Sequence, residues 1–211
     1  KRSGATGVAE FRAAGVLPLA LANALARLGH PWDAHGLLSM RELAAGFDPA
    51  RLSSAAQRFD PAQVAHWQRL ALDALGDDAL AAWAGTTALE PVPPPARVAF
   101  LAAVRHNVTR PDEVRDWAEI LFGPAEIAPR PDPGAAPELF AAVLAAWDAG
   151  CTEPKALAAA VKEATGIGGK GFFKPLRLAL TGRAEGPDLG ALFAAMPAAT
   201  LRARLARHAA T

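Results

Sequence analysis

The chain has 211 residues, of which 52% are hydrophobic and 20% charged, and this balance excludes a wholly disordered protein. The length is enough for one large or two small domains with a sizeable core. A formal net charge of +1 excludes a strong overall attraction to nucleic acid, so any such binding needs local clusters of Lys and Arg.

The spacing of apolar residues predicts two helices at the start of the chain. The first contains Val8 and ends at Gly15, and the second is rich in leucine up to Leu28 and ends at Gly29. The sequence opens KRSGATG without an initiator methionine, and we therefore expect it to be part of a longer protein.

Local capping signals predict the next two helices. Ser39 and Glu42 have the spacing of a capping box and open a short helix, SMRELAAG, that ends at Gly46. Asp60 is the predicted N-cap of the helix DPAQVAHWQRLALDAL, because Pro61 then occupies the first helical position, where its missing amide costs nothing.

The remainder of the chain also shows helical patterns and no strand alternation. The predicted helices are ARVAFLAAVRHNV, PDEVRDWAEILFG, PELFAAVLAAWDAG, EPKALAAAVKEATG, PDLGALFAAM and ATLRARLARHAA. Two segments rich in Pro and Gly, PVPPPARVAF and GPAEIAPRPDPGAAPELF, are predicted to be links. We therefore predict an all-α fold of consecutive helical bundles.

The residues alone indicate no self-contained enzyme. The segment ATGIGGKGFF lacks P-loop spacing, since Ala164 stands where the first glycine is needed and Gly171 where a Ser or Thr is needed. No Ser-His-Asp set, Cys-His set or dinucleotide fingerprint is present. The single Cys151 excludes an intramolecular disulfide framework and has no second thiol or imidazole at ligand spacing, so we expect no metal site. The absence of a long apolar run and of a signal peptide predicts no membrane segment. The single cysteine suits a reducing compartment, so the cytoplasm is the expected location.

Four clusters of basic residues could hold phosphate. They are Lys1 and Arg2; Arg105, His106 and Arg110; Lys170, Lys174 and Arg177; and Arg202, Arg204, Arg207 and His208. A few phosphate contacts are enough for measurable, salt-sensitive binding, whereas the competing interpretation of each cluster is a solvated helix face.

Aromatic residues are interpreted as packing groups rather than as platforms for bases. Phe172 and Phe173 could stack on bases, but their position beside a helix favours the core. The same interpretation applies to the tryptophans in helical patterns, which are Trp67, Trp83, Trp117 and Trp147.

Three stretches of the chain, in order, resemble one family. The opening KRSGATGVAEFRAAGVLPLALANALARLG is similar to the segment of bacterial glutamyl-tRNA synthetases that begins in the last two residues of their KLSKR signature. SMRELAAGFDPARLSSAAQRFDPAQV resembles the family's run of a helix, two F-D pairs and a further helix. ATGIGGKGFFKPLRLALTGRAEGPDLG resembles its C-terminal string of TG, GK, PLR, LTG and GP.

The resemblance implies an architecture and a parent reaction. It implies a stem-contact helical region at residues 1–75, followed by the two subdomains of an anticodon-binding helical cage at 76–130 and 131–211. The parent enzyme would use ATP and Mg²⁺ to attach glutamate to tRNA, and Lys1 and Arg2 would be the remnant of the loop that stabilises the ATP phosphates. We expect the catalytic domain to lie outside this chain, so that the chain alone is inactive, is monomeric and binds neither cofactor.

The resemblance also implies a tRNA-binding surface for tRNA-Glu, tRNA-Gln or both. Arg105 is the candidate for reading the last anticodon base, because arginine can hydrogen-bond a splayed base edge and stack on its plane. The alternative is that Arg105 contacts a phosphate or is a surface arginine without a ligand. The complete set of candidate tRNA contacts is Arg105, Asn107, Arg110, Lys170, Lys174 and Arg177.

Two questions stay open at this point: the tRNA contacts and the function itself. The sequence has His66 and Gln68 where the family usually carries Trp and Asn, so the contacts of that helix and the tRNA preference are open. The main alternative function is an all-helical protein-interaction module that shares descent with the synthetase but does not bind tRNA. A related enzyme that glutamylates queuosine in tRNA-Asp is disfavoured, since that family lacks an anticodon cage.

Overall fold

The computed structural model of the chain describes residues 7–124 and 137–209. Within these ranges every regular element is helical, which confirms the predicted all-α class. The α-helices are α1 Val8–Ala13, α2 Pro18–Ala26, α3 Met40–Gly46, α4 Pro61–Asp73, α5 Asp77–Ala84, α6 Arg97–Val104, α7 Pro111–Phe122, α8 Pro137–Asp148, α9 Pro154–Thr165, α10 Lys170–Thr181, α11 Leu189–Ala195 and α12 Ala198–Ala209. Most of the predicted link GPAEIAPRPDPGAAPELF falls outside the described residues.

The chain forms two compact units. Among the described residues, the first unit comprises those up to Gly85 together with Val108–Glu113, and the second comprises Thr86–Asn107 and those from Val114 onward. The finer division into three regions, with boundaries at residues 75 and 130, stays a prediction.

The predicted caps are present in the first unit. The Ser39 amide donates to Glu42 Oε2 at 2.7 Å, and the Glu42 amide donates to Ser39 Oγ at 3.2 Å, so the capping box at the start of α3 is reciprocal. The Asp60 carboxylate accepts the Ala62 amide at 2.9 Å at the start of α4. Both helices therefore begin at the positions predicted from their capping residues.

From the sequence, Trp83 is assigned to a helical pattern without bounds for its helix, which the structure shows as α5. Its segment, DDALAAWA, consists mainly of alanine and leucine, which favour helices, and opens with Asp77 and Asp78 at the positive end of the helix dipole. The segment lacks the apolar periodicity from which the other helices are predicted, so its bounds could not be given from the sequence. Trp83 in α5 donates its indole N–H to the Gly15 carbonyl at 2.7 Å.

The core of the first unit lies between α2 and α4. Ala20 and Ala24 of α2 pack against Val64, Trp67 and Ala71 of α4. Small alanines on α2 permit the two helices to approach closely, and the indole fills the remaining space. Burial of this apolar face stabilises both helices, which are too short to persist alone in water.

Gln68 of α4 connects three segments of the first unit. Its side chain is 2% exposed. Its Oε1 accepts the Leu17 amide at 2.9 Å, while its Nε2 donates to the carbonyls of Gly15 and Thr109, each at 3.1 Å. The residue that departs from the family pattern therefore satisfies the backbone at the turn between α1 and α2 and in the segment before α7.

The second unit has a core that several helices share. Helix α8 packs against α9 and α12, α6 packs against α11, and α10 packs against α12. Phe100 of α6, Phe140 of α8 and Phe172 of α10 are fully buried. None of the helices in the described ranges is long and apolar enough to cross a membrane.

Replacing Gln68 with methionine, of similar volume, should lower the free energy of unfolding by about 1–3 kcal/mol. The part-buried Leu17 amide and Thr109 carbonyl lose their side-chain partner, while the Gly15 carbonyl keeps only the Trp83 indole. Urea denaturation followed by circular dichroism measures the loss. Gln63→Met is the control, since Gln63 is exposed on the same helix and should change stability by less than about 0.5 kcal/mol. Equal effects of the two substitutions would contradict the bridging role of Gln68.

Candidate nucleic-acid interface

A glycine-rich turn places two lysines at the start of α10. Gly166 closes α9 in the left-handed conformation (φ 76°), and Gly169, with φ 58° and ψ −131°, is the residue before α10. Residues with a side chain rarely adopt either conformation, so the glycines permit the chain reversal. The segment GIGGKGFFKPLR therefore forms a turn followed by the start of α10.

Positive charge is concentrated around this turn. Lys170 and Lys174 are both exposed, and neither forms an ion pair with another described residue. The aliphatic stem of Lys162, in the last turn of α9, lies against Gly168, where an added Cβ would be 3.2 Å from Lys162 Cδ. Lysines from both sides of the turn thus present unneutralised charge to solvent.

Phe172 and Phe173 differ in exposure. Phe172 is buried, as predicted, whereas the prediction that Phe173 packs inside is wrong, since 39% of it is exposed. Adjacent helical residues point about 100° apart, so only one ring of the pair reaches the core. The two rings meet edge to face with centroids 5.0 Å apart. An exposed aromatic ring therefore lies on the helix segment that carries Lys170 and Lys174.

Arg177, on the next turn of α10, is half-buried and serves the protein backbone. Its Nη1 donates a hydrogen bond to the Pro187 carbonyl. The Thr181 hydroxyl donates to the Arg177 carbonyl at 2.8 Å and accepts the Arg183 amide at 3.1 Å. Arg177 and Thr181 together fix the loop that follows α10.

This loop forms one wall of an open groove of about 530 Å³ in the second unit. The groove is lined by Asn107, Trp117, Arg183, Ala184, Glu185 and Gly186. The Arg183 guanidinium carbon lies 4.8 Å from the centroid of the Trp117 ring, and Arg183 Nη2 lies 3.3 Å from Asp116 Oδ2. A planar cation on an indole offers a flat face and several N–H donors to a planar or anionic ligand.

The sequence prediction did not single out Arg183. It lies in the quoted string LTGRAEGP, but a lone arginine in a loop gives no sign that it will lie on a buried tryptophan. Gly186 makes this arrangement possible, because its φ is 144° and a Cβ there would lie 2.6 Å from Trp117 Cζ2 and closer still to Cη2.

The structure separates three of the candidate residues. Arg105 is half-buried and Asn107 is exposed, both in the 3₁₀ turn that follows α6, and Asn107 lines the groove of the second unit. Arg110 belongs to the first unit, where its Nε and Nη2 contact the Asp112 carboxylate at 2.8 and 2.6 Å. This hydrogen bonding lowers the pKa of Asp112. Arg110 is therefore not part of the groove that Asn107 lines.

The basic residues of α12 do not form one phosphate-binding face. Arg202 makes two hydrogen bonds to Asp148, at 3.0 and 2.8 Å, and thereby lowers the pKa of that carboxyl group. Arg204 is buried, and the His208 ring lies 5.1 Å from the Phe140 ring. The helix period directs these side chains to different surroundings, and the buried Arg204 is not available to a phosphate at the surface.

Three further sequence expectations concern the start of the chain, metal ligands and the tryptophans. Lys1 and Arg2 lie outside the described residues. Within the two described ranges, no group of three or more His, Cys, Asp or Glu residues is placed to hold a metal ion. Trp67 and Trp117 are buried, while Trp83 and Trp147 are partly buried, as expected for packing groups.

Gly186→Ala should destabilise the second unit by at least about 2 kcal/mol, since the new methyl group meets the Trp117 ring in addition to the backbone strain. Gly85→Ala is the matched control, because Gly85 also has a positive φ (81°) but nothing within 4 Å of the added Cβ. Thermal unfolding of both variants measures the difference. Equal losses would show that contact with Trp117 does not matter.

The sequence profile of the anticodon binding domain family matches residues 79–209, more than half of the chain. Glutamate–tRNA ligase 2 of Nitrosococcus oceani is 43% identical over 97% of this chain and 44% of its own length. Glutamate–tRNA ligase 1 of Halorhodospira halophila is 46% identical over 90% of this chain and 40% of its own length.

The fold has a counterpart among solved structures. The crystal structure of the glutamate–tRNA synthetase from Elizabethkingia anophelis superposes with a TM-score of 0.76 at 21% identity, covering 95% of this chain and 42% of that one. The chain thus spans less than half the length of these relatives. The match over residues 79–209 includes the lysine-bearing turn and the groove, and the chain belongs to the anticodon binding domain family.

Proposed function

We propose that the chain is the tRNA-binding part of a glutamate–tRNA ligase and that its second unit binds the anticodon loop of tRNA-Glu, tRNA-Gln or both. One observation carries this proposal. The region that matches the anticodon binding domain family contains an exposed Phe173 on the same helix segment as the solvated Lys170 and Lys174. Cations beside an accessible ring suit a single-stranded nucleic acid, whose backbone is anionic and whose bases have flat faces.

The candidate residues take different roles in this proposal. Lys170 and Lys174 contact the backbone phosphates of the anticodon loop, and Phe173 stacks on a base. The Arg183 guanidinium, held on Trp117, offers its outer face and its donors to a second base in the groove. Asn107 lines the same groove, where its amide can pair with a base edge.

Arg105 and Arg177 contribute from half-buried positions. Arg105 lies two residues before Asn107 in the same 3₁₀ turn, and we assign it the reading of the last anticodon base. Arg177 holds the Pro187 carbonyl and so shapes the loop that carries Arg183. Arg110 lies outside the groove, where it is paired with Asp112, and its proposed contact is with another part of the tRNA.

The proposed parent reaction is the ATP-dependent activation of glutamate and its transfer to the tRNA. Lys1 and Arg2 would belong to the loop that stabilises the ATP phosphates, with Mg²⁺ bound by the same catalytic machinery. The described residues would select and orient the tRNA. The family match favours this function over a protein-interaction module.

Replacing both Lys170 and Lys174 by glutamine should weaken binding to a tRNA-Glu transcript. The slope of log K against log salt concentration should become shallower by about 1–2, since each lost phosphate contact removes about 0.7–0.9 from it. A salt titration with labelled transcript measures the slope. Lys155→Gln is the control, because Lys155 is exposed near the start of α9, at the opposite end from the turn. An unchanged slope in the double variant would remove these lysines from the interface.

Arg105→Gln should abolish the preference of the chain between tRNA-Glu and tRNA-Gln transcripts, because a base-reading contact is worth about 1–3 kcal/mol. The measurement is the ratio of the two Kd values at fixed salt. Arg115→Gln is the control, since Arg115 is exposed on α7 and is paired with Glu119 at 2.8 Å. A uniform loss of affinity for both tRNAs would instead assign Arg105 to a phosphate.

A further inference from the structure

Arg204 of α12 is a buried cation that the proposed tRNA contacts do not use. It is 2% exposed, and it is among the largest fully buried side chains of the described residues. Its Nη1 donates to the Leu180 carbonyl at 2.5 Å and its Nη2 donates to the Pro124 carbonyl at 3.2 Å. Burial lowers its pKa to about 10. Burying a cation costs desolvation free energy even where carbonyl oxygens accept its hydrogen bonds. We therefore expect the contacts of Arg204 to have a structural role.

One of these carbonyls lies in the last turn of a helix, and the other lies two residues beyond the end of a helix. Leu180 is in the last turn of α10, and Pro124 is in the chain that leaves α7. Carbonyl oxygens at a helix C-terminus lack intrahelical partners and carry the negative end of the helix dipole, so they attract a cation. One planar guanidinium therefore joins the C-terminal ends of α7 and α10 and fixes their separation.

Helix α7 and the loop after α10 both line the groove. Helix α7 supplies Trp117, and the loop that begins immediately after α10 supplies Arg183, which also pairs with Asp116 of α7. The link between helix and loop is short, because the hydroxyl of Thr181, the residue after Leu180, accepts the Arg183 amide at 3.1 Å. A shift of the end of α10 relative to α7 would thus move Arg183 relative to the Trp117 ring.

We propose that Arg204 is a positioning residue for the groove: its guanidinium sets the spacing between the ends of α7 and α10 and thereby keeps Arg183 on Trp117, ready to receive a base. The part of this inference that concerns nucleic acid rests on the proposed function. The positioning of Arg183 on Trp117 does not.

Arg202 provides a matched control on the same helix. It lies two residues before Arg204, is exposed and pairs with Asp148. Arg202→Lys and Arg204→Lys make the same chemical change. In both, the charge is kept and the planar fork is lost, but only at Arg204 does the fork join α7 to α10.

The test has two readouts. The first is the indole ¹H–¹⁵N resonance of Trp117, assigned with a Trp117→Phe variant and recorded without tRNA. The second is the Kd for a tRNA-Glu transcript and its salt dependence, measured in wild type, Arg204→Lys, Arg183→Gln and the double variant. Circular dichroism establishes that each variant is folded.

Arg204→Lys is expected to shift the Trp117 resonance and to weaken tRNA binding about tenfold. The salt slope should stay unchanged, because a buried side chain contacts no phosphate. In the Arg183→Gln background the same substitution should weaken binding less than about twofold, since both changes act on one contact. Arg202→Lys should alter neither readout.

Two results would overturn the proposal: a folded Arg204→Lys variant in which the Trp117 resonance does not move, or a loss of affinity that persists in full in the Arg183→Gln background. If wild type binds no tRNA while Arg204→Lys still shifts Trp117, the proposed function fails and the positioning role stands. If Arg204→Lys does not fold, Arg204→Met, which leaves no buried charge, is read by the same two measurements.

Discussion

Every buried polar side chain of the described residues bonds to backbone groups, and the fold depends on this arrangement. Asn23 contacts the backbone of Leu38 with both its oxygen and its nitrogen, at 2.9 and 2.7 Å. His30 accepts the Asp48 amide at 3.1 Å, and Gln68, Thr181 and Arg204 follow the same rule. Short helices leave many backbone donors and acceptors without partners at their ends. When a side chain of a neighbouring element hydrogen-bonds to such a backbone group, the group can be buried without losing a partner, and the two elements are linked.

In the second unit, helix α10 connects the buried Arg204 to the exposed loop that lines the groove. Helix α10 carries exposed lysines at its first turns, and its last turn is held by Arg204 and continues into the loop of Arg183. A helix of 12 residues is about 18 Å long, so charge and groove lie at separate ends of one rigid element. In the proposed tRNA complex, the lysines and Phe173 would therefore act at one end of α10 and the groove at the other.

Local signals in the sequence were sufficient to predict most of the helices. The arrangement of the candidate site, in contrast, depends on contacts between residues that are far apart in the sequence. The cap at Asp60 could be predicted because its partner is two residues away. The role of Gln68 could not, since its partners are 41 to 53 residues away. Arg202 and Arg204 look equivalent in the sequence, yet packing leaves one in solvent and buries the other. The exposure of Phe173 follows from the direction of one helix face, which apolar composition alone does not fix.

The first unit is discontinuous in sequence, and this affects how the domain can be divided. The region shared with the anticodon binding domain family begins at residue 79, inside α5, whereas Val108–Glu113 belongs to the compact body formed by the preceding residues. A piece cut at that boundary would separate Thr109 from Gln68 and Gly15 from Trp83. The family match and the first unit therefore have different boundaries. Truncation at residue 79 would leave the groups in these two hydrogen bonds without their partners.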